Sequence, residues 1–104
     1  MGILSLASNT STWRGYHYYA DNHVLFVDKI DENEYFGEVR GGADTPYHVK
    51  VNVKNPRKSH CDCPLADGRR VICKHMVALY FSVFPNEANS YIQDIEDNLK
   101  IDEQ

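Results

Sequence analysis

The residues best suited to carry chemistry lie between positions 61 and 75. All three cysteines of this 104-residue chain occur there, at Cys61, Cys63 and Cys73, and His75 closes the stretch. Three thiolates and one imidazole are the ligands of a closed structural zinc site, in which protein atoms fill all four tetrahedral positions. The pattern Cys-x-Cys, nine intervening residues, then Cys-x-His therefore predicts one structural zinc ion held by these four residues.

Other interpretations of these residues account for less of the pattern. Free cysteines often pack as small apolar side chains, but charged residues flank all three thiols here. A disulfide would leave one cysteine over. His60 competes with His75 as the fourth ligand, yet a residue adjacent to Cys61 would need an awkward turn to share its metal. We therefore predict His75 as the fourth ligand.

The local backbone must bring two half-sites to one point. Residues two apart in an extended segment point to the same side, so Cys61 and Cys63 can reach one metal from a strand. Residues two apart on a helix do not share a face. Cys73 is therefore expected just before a helix, with His75 in its first turn.

These half-sites resemble the SWIM-type zinc finger, a family defined by Cys-x-Cys, a variable spacer and Cys-x-His. Residues 61–64 are similar to its first half-site, and residues 73–79 to its second, which continues into a helix. The resemblance extends over about residues 14–84, and the four ligand positions agree with it. It implies a domain that binds DNA or other proteins, often beside catalytic domains in chromatin-remodelling ATPases and transposases.

The rest of the chain predicts an α+β fold. We expect a small antiparallel β-sheet of three to four strands with a zinc knuckle and one covering helix, plus a short second helix. Apolar alternation and β-branched residues predict the strands, and short turns between them indicate an antiparallel meander. A wide apolar stripe from Met76 onward predicts the covering helix, which Pro85 ends. The expected strands are 13–19, 23–30, 34–40 and 47–54.

This organisation predicts three segments along the chain. Residues 1–12 are rich in small and polar residues and predict a loose N-terminal lead-in. Residues 13–84 would form the zinc-binding domain. Residues 85–104 would form an acidic C-terminal helix and tail.

Charge is unevenly distributed. The net charge is −4, yet residues 47–76 hold seven basic and two acidic residues, which leaves four basic and thirteen acidic residues elsewhere. A basic patch is the electrostatic footprint of a protein that binds a phosphate backbone. The alternatives are an ordinary solvated surface or a match for the acidic C-terminal helix. The candidate phosphate contacts are Lys54, Arg57, Lys58, Arg69, Arg70 and Lys74.

The sequence favours a zinc-binding, non-enzymatic nucleic-acid-binding module, with DNA preferred over RNA. A catalytic zinc keeps an open position, which four good ligands would fill. No nucleophile–base pair stands out either, so we expect neither enzyme activity nor a small-molecule substrate. The alternative is a protein–protein interaction adaptor beside a larger catalytic protein, docking through the acidic helix or a sheet edge.

Location is inferred from cysteine usage and hydropathy. Three reduced cysteines, no signal peptide and no run long enough to span a membrane favour the cytoplasm, or the nucleus if the source is eukaryotic.

Overall fold

The computed structural model describes residues 3–42, 44–63 and 72–102. Within these residues, four strands form one antiparallel sheet with the spatial order β1-β2-β3-β4. The α+β class and the antiparallel sheet predicted from the sequence are confirmed. The elements in chain order are α1 (Ile3–Leu6), α2 (Asn9–Ala20), β1 (Val24–Asp31), β2 (Glu34–Val39), β3 (Tyr47–Asn52), a 3-10 turn (Pro56–Lys58), β4 (His60–Cys61), α3 (Lys74–Val83) and α4 (Pro85–Asp102).

Helix α3 is the centre of the core. Its residues 75–79 and Phe81 are all buried, and a helix that is apolar all round must be surrounded by other elements. The sheet contacts α3 on one side, where Val49 and Val51 of β3 are fully buried, and α2 packs on it as well. The predicted covering helix is therefore present, and α2 covers it in turn.

The predicted strand over residues 13–19 is wrong, because these residues lie inside α2. Their aromatic side chains favour strands. The burial pattern is helical, however: Thr12 and Gly15 are buried, and Tyr16 and Tyr19 are half-buried, which is the i, i+3, i+4, i+7 spacing of one helix face. A helix start signal was also present, since the Ser8 side chain accepts a hydrogen bond from the Ser11 amide.

Two further expectations need correction. The lead-in at residues 1–12 is not loose where it is described, because Ile3 is fully buried in α1 and α2 begins at Asn9. The second helix, α4, is not short, since it spans 18 residues. The fourth strand is instead the two-residue β4, which is too short for a periodicity argument to find. The predicted segment boundaries stay predictions.

Gly15 sets how closely α2 approaches α3. A Cβ atom added there would lie 2.5 Å from Val77 Cβ and 2.8 Å from the carbonyl oxygen of Lys74. Contacts this short force neighbouring atoms to move. Glycine therefore serves here to let two helices touch, although it is a poor helix former.

We predict that Gly15→Ala lowers the free energy of unfolding by about 1–2 kcal/mol, because the clash exceeds alanine's gain in helix propensity. Urea denaturation followed by circular dichroism would measure the change. Gly42→Ala is the matched control, because a Cβ there meets nothing within 4 Å. Equal or greater stability of Gly15→Ala would contradict this account of the helix crossing.

Candidate metal centre

The first half-site is built on the β3–β4 pair. Val49 of β3 pairs with Cys61 of β4, so the backbone at Cys61 is extended. Cys61 and Cys63 are buried, while Asp62 between them is exposed. This alternation turns both thiols to the same side, as the sequence argument predicted.

Asp62 joins this half-site to strand β3 by hydrogen bonds with His48. One carboxylate oxygen accepts from the His48 backbone amide at 2.9 Å, and the other lies 3.1 Å from His48 Nδ1. The Asp62 amide in turn donates to the His48 carbonyl at 3.3 Å. The residue that separates the two thiols therefore fixes their direction by bonding the neighbouring strand.

The second half-site is built on the start of α3. Cys73 is the N-cap residue of this helix, with extended backbone angles, and His75 lies in its first turn. The change from extended to helical backbone lets two residues at i and i+2 converge on one point. This placement is the one predicted from the Cys-x-His spacing.

The two half-sites form one compact cluster. The ligand atoms of Cys61, Cys63, Cys73 and His75 all lie within 4.8 Å of one another, and all four residues are buried. Nδ1 of His75 lies 3.7 Å from Cys61 Sγ and 3.8 Å from Cys73 Sγ. Ordinary zinc bond lengths in a tetrahedron separate sulfur and nitrogen ligands by about 3.5–3.8 Å. The cluster therefore fits one structural zinc ion, which would join the sheet to α3.

The His75 ring is held by aromatic packing. The Tyr47 ring centroid lies 4.6 Å from that of His75, and the Tyr18 centroid lies 5.4 Å away. Gly41 packs against the Tyr47 ring so closely that any Cβ would collide with it. These contacts orient Nδ1 toward the thiols, and they leave Nε2 buried without a hydrogen-bond partner among the described residues.

A hydrogen bond between Cys61 and Cys73 shifts the pKa of both thiols, in opposite directions. This bond to Cys61 lowers the pKa of Cys73 to about 4, and a further bond to His75 acts in the same direction. The thiolate is the form that binds metal. The same bond between the thiols, together with burial, raises the pKa of Cys61. Zinc binding must therefore release the proton of Cys61.

Comparison with known families agrees with this geometry. Residues 47–84 match the SWIM zinc finger. The SWIM segment runs from the first residue of β3 to the end of α3 and contains all four ligand residues. A SWIM zinc finger is typically a binding module. Comparison of the chain with curated proteins and with solved structures found no match.

The structure separates the six predicted phosphate-contact residues into groups. Lys54, Arg57 and Lys58 are exposed and lie close together between β3 and β4, just before the first half-site of the SWIM segment. Lys74 is half-buried at the start of α3. Arg69 and Arg70 lie outside the described residues. In the part of the chain that the structure describes, no helix is both long and apolar enough to cross a membrane.

Sequence reasoning missed the residues that position the ligands. Asp62, Tyr47 and Gly41 belong to no metal-ligand pattern, and their role depends on contacts with His48 and His75 that only the fold shows. Tyr18 lies outside the SWIM segment and reaches His75 from α2. No local pattern links Tyr18 to residue 75, so this contact could be found only once the helices were placed together.

We predict that His75→Ala weakens zinc binding by more than roughly 100-fold, because changes outside the ligand shell alone cost 10–100-fold. His60→Ala should keep zinc affinity unchanged, because His60 is exposed and lies outside the cluster. Competition with a chromophoric chelator would measure both affinities. Loss of zinc in His60→Ala with retention in His75→Ala would refute the assigned ligand set.

Proposed function

We propose that this chain is a zinc-stabilised, non-enzymatic module that binds nucleic acid, DNA in preference to RNA. The basic segment between β3 and β4 is the observation that carries the proposal. Lys54, Arg57 and Lys58 are exposed, and among the described residues none of the three forms an ion pair. Three free cations at one place are suited to phosphate contacts.

Hydrogen bonds hold this basic segment in shape. The Asn52 side-chain oxygen accepts from the backbone amides of Lys54 at 3.1 Å and Asn55 at 2.7 Å. The Ser59 hydroxyl accepts from the Asn52 amide at 2.9 Å, and the Ser59 amide donates to the Pro56 carbonyl at 3.0 Å. A loop ordered beforehand loses less conformational entropy on binding, which supports an interface at this position.

Acidic neighbours weaken the attraction of Lys54 and Lys58 for phosphate. Lys54 and Lys58 line an open cleft that also contains Asp31, Glu32 and Glu34. Nearby carboxylates reduce the local potential that attracts phosphate. Arg57 does not line this cleft, and its guanidinium can bind phosphate through two hydrogen bonds. We therefore assign the strongest contact of the segment to Arg57.

The remaining cations extend the interface around the zinc finger. Lys74 lies next to the ligand Cys73, so the metal site fixes its position relative to the sheet. Arg69 and Arg70 stay predicted contacts on sequence grounds. Contacts of this kind hold a backbone without reading bases, so binding should depend on salt and only weakly on sequence.

We expect zinc-loaded protein to bind labelled single- and double-stranded oligonucleotides with an affinity that falls steeply as salt increases. Fluorescence anisotropy across a salt series would measure this. A variant combining Lys54→Gln, Arg57→Gln and Lys58→Gln should bind more weakly. Its log–log salt slope on duplex DNA should be shallower by about 0.9 if Arg57 alone contacts a phosphate and by about 2.7 if all three cations do, since each contact contributes about 0.9.

Lys29→Gln is the matched control, because Lys29 is an exposed cation on edge strand β1 and does not line the cleft that contains Lys54 and Lys58. It should leave both the affinity and the slope unchanged. Absence of binding at low salt, or an unchanged slope in the triple variant, would refute the proposal.

A second candidate function, protein docking, is favoured by strand β1. This strand lies at the edge of the sheet, and every residue of it after Val24 is exposed. Leu25, Phe26, Val27 and Ile30 are 43%, 44%, 40% and 50% exposed. An exposed apolar edge strand is a template for pairing with a strand of another protein.

For this second candidate, we predict that a photo-crosslinking amino acid at Val27 captures one partner protein in cells, and that Phe26→Lys abolishes the adduct. The same crosslinker at Gln93, which is exposed on α4, should capture no such partner. Mass spectrometry would identify the adduct. Identical adducts from both positions would remove β1 as the docking surface.

A further inference from the structure

Strand β1 has one side along which no strand of the described residues pairs. Within those residues it pairs only with β2, and residues 24–31 form no backbone hydrogen bond outside that pair. The pairing with β2 is irregular between Val24 and Phe26 and again between Lys29 and Asp31. Bulges disrupt the ladder and limit further pairing at a sheet edge. Residues 26–29, which pair regularly with β2, therefore remain as a short template for a strand of another chain.

Apolar side chains are exposed on both faces of this template. Val27 pairs with Gly37, and a Cβ atom added at Gly37 would meet Leu79, so this face of the sheet is turned toward α3. Phe26 precedes Val27 in the strand and lies on the opposite, outer face. Phe26 and Val27 are both exposed. A strand added beside β1 would therefore bury apolar surface on both faces of the sheet at once.

Carboxylates lie beside the exposed aromatic ring on the outer face. Glu38 pairs with Phe26, and Asp28, which shares the face of Phe26, pairs with Phe36. The rings of Phe26 and Phe36 lie 6.0 Å apart, so aromatic rings and carboxylates alternate at adjacent positions. Asp28 forms no ion pair among the described residues. A lysine or arginine opposite Asp28 would pair with this carboxylate, and a second one would lie over the face of Phe26.

The charge of the β1–β2 hairpin discriminates between partners. Residues 21–38 hold six acidic residues and one lysine. The acidic residues at the turn share a cleft with Lys54 and Lys58, but Asp28 does not line that cleft. A second copy of this chain would bring two acidic hairpins together, and like charges across an interface disfavour such pairing. The same charges repel phosphate and attract a basic strand.

We infer that β1 binds a short basic strand of another protein, in which lysine or arginine alternates with aliphatic residues. The basic side chains lie on the outer face, at Asp28 and Phe26, and the aliphatic ones lie beside Val27. The partner's backbone forms hydrogen bonds with residues 26–29, which is the strand-addition mode of peptide recognition. The inference names the chemistry of the partner for the docking function proposed above, and it rests on that function.

Titration of isotope-labelled, zinc-loaded full-length chain with a short valine–lysine peptide, followed by amide chemical shifts, tests the inference. The peptide alternates valine and lysine and has blocked termini. We expect saturable shifts in residues 25–30. A valine–glutamate peptide, and the valine–lysine peptide N-methylated at every residue, should each bind at least about tenfold more weakly, because the first is repelled and the second cannot donate backbone hydrogen bonds. Equal binding of either control peptide, or no saturable shift in β1, would overturn the inference.

Charge variants separate β1 from general attraction to an acidic protein. Asp28→Lys should weaken binding of the valine–lysine peptide at least about tenfold with zinc content unchanged, because like charges then face each other. Asp28→Glu should retain most of the affinity. Asp94→Lys makes the same change of charge on α4, where Asp94 is exposed, and should leave the affinity nearly unchanged. Equal weakening by Asp28→Lys and Asp94→Lys would overturn the inference.

The outcomes separate this inference from the docking function on which it rests. If the crosslinker at Val27 captures a partner through an acidic or uncharged segment, the inference fails while docking at β1 stands. If the valine–lysine peptide binds β1 and the crosslinker captures no protein, the affinity of β1 for basic strands stands while the docking function fails. A concentration-dependent dimer in sedimentation experiments that Phe26→Lys disrupts would overturn the inference, because a second copy would then cover β1.

Discussion

The fold depends on the metal cluster, to which the edge of the sheet and the start of α3 contribute two ligands each. Cys61 and Cys63 come from the edge of the sheet, and Cys73 and His75 from the start of α3. A metal that joins them fixes the central core helix against the strands. A chain of this length buries a modest share of its surface, so the free energy of zinc binding becomes folding free energy.

The SWIM segment does not complete its own site. Residues 47–84 contain the four ligands, but α2 lies outside that match, and its Tyr18 packs on the His75 ring. Gly15 permits this by letting α2 lie directly against α3. Helix α2 therefore supports the zinc site, because its Tyr18 helps to hold the His75 imidazole in the orientation that points Nδ1 at the thiols.

What the sequence predicted correctly follows from local geometry. The ligand cluster was predictable because Cys-x-Cys and Cys-x-His each specify a backbone shape, and β3 and α3 show clear periodicity. Helix α2 was missed because the propensity of Tyr16 and its aromatic neighbours points to a strand, whereas packing against α3 decides the outcome. The packing of Tyr18 on His75 was not predictable, since these two residues are far apart in the chain.

The two candidate binding surfaces lie at opposite edges of the sheet. Strand β1 forms one edge with its exposed apolar residues, while β4 forms the other and leads into the zinc cluster. The basic segment 54–58 lies between β3 and β4, and it meets β1 only at Asp31, which lines the same cleft as Lys54 and Lys58. A protein strand paired with residues 25–27 of β1 would leave β4 and the zinc cluster at the other edge uncovered. The two proposed surfaces therefore use different residues, and a test of one leaves the other intact.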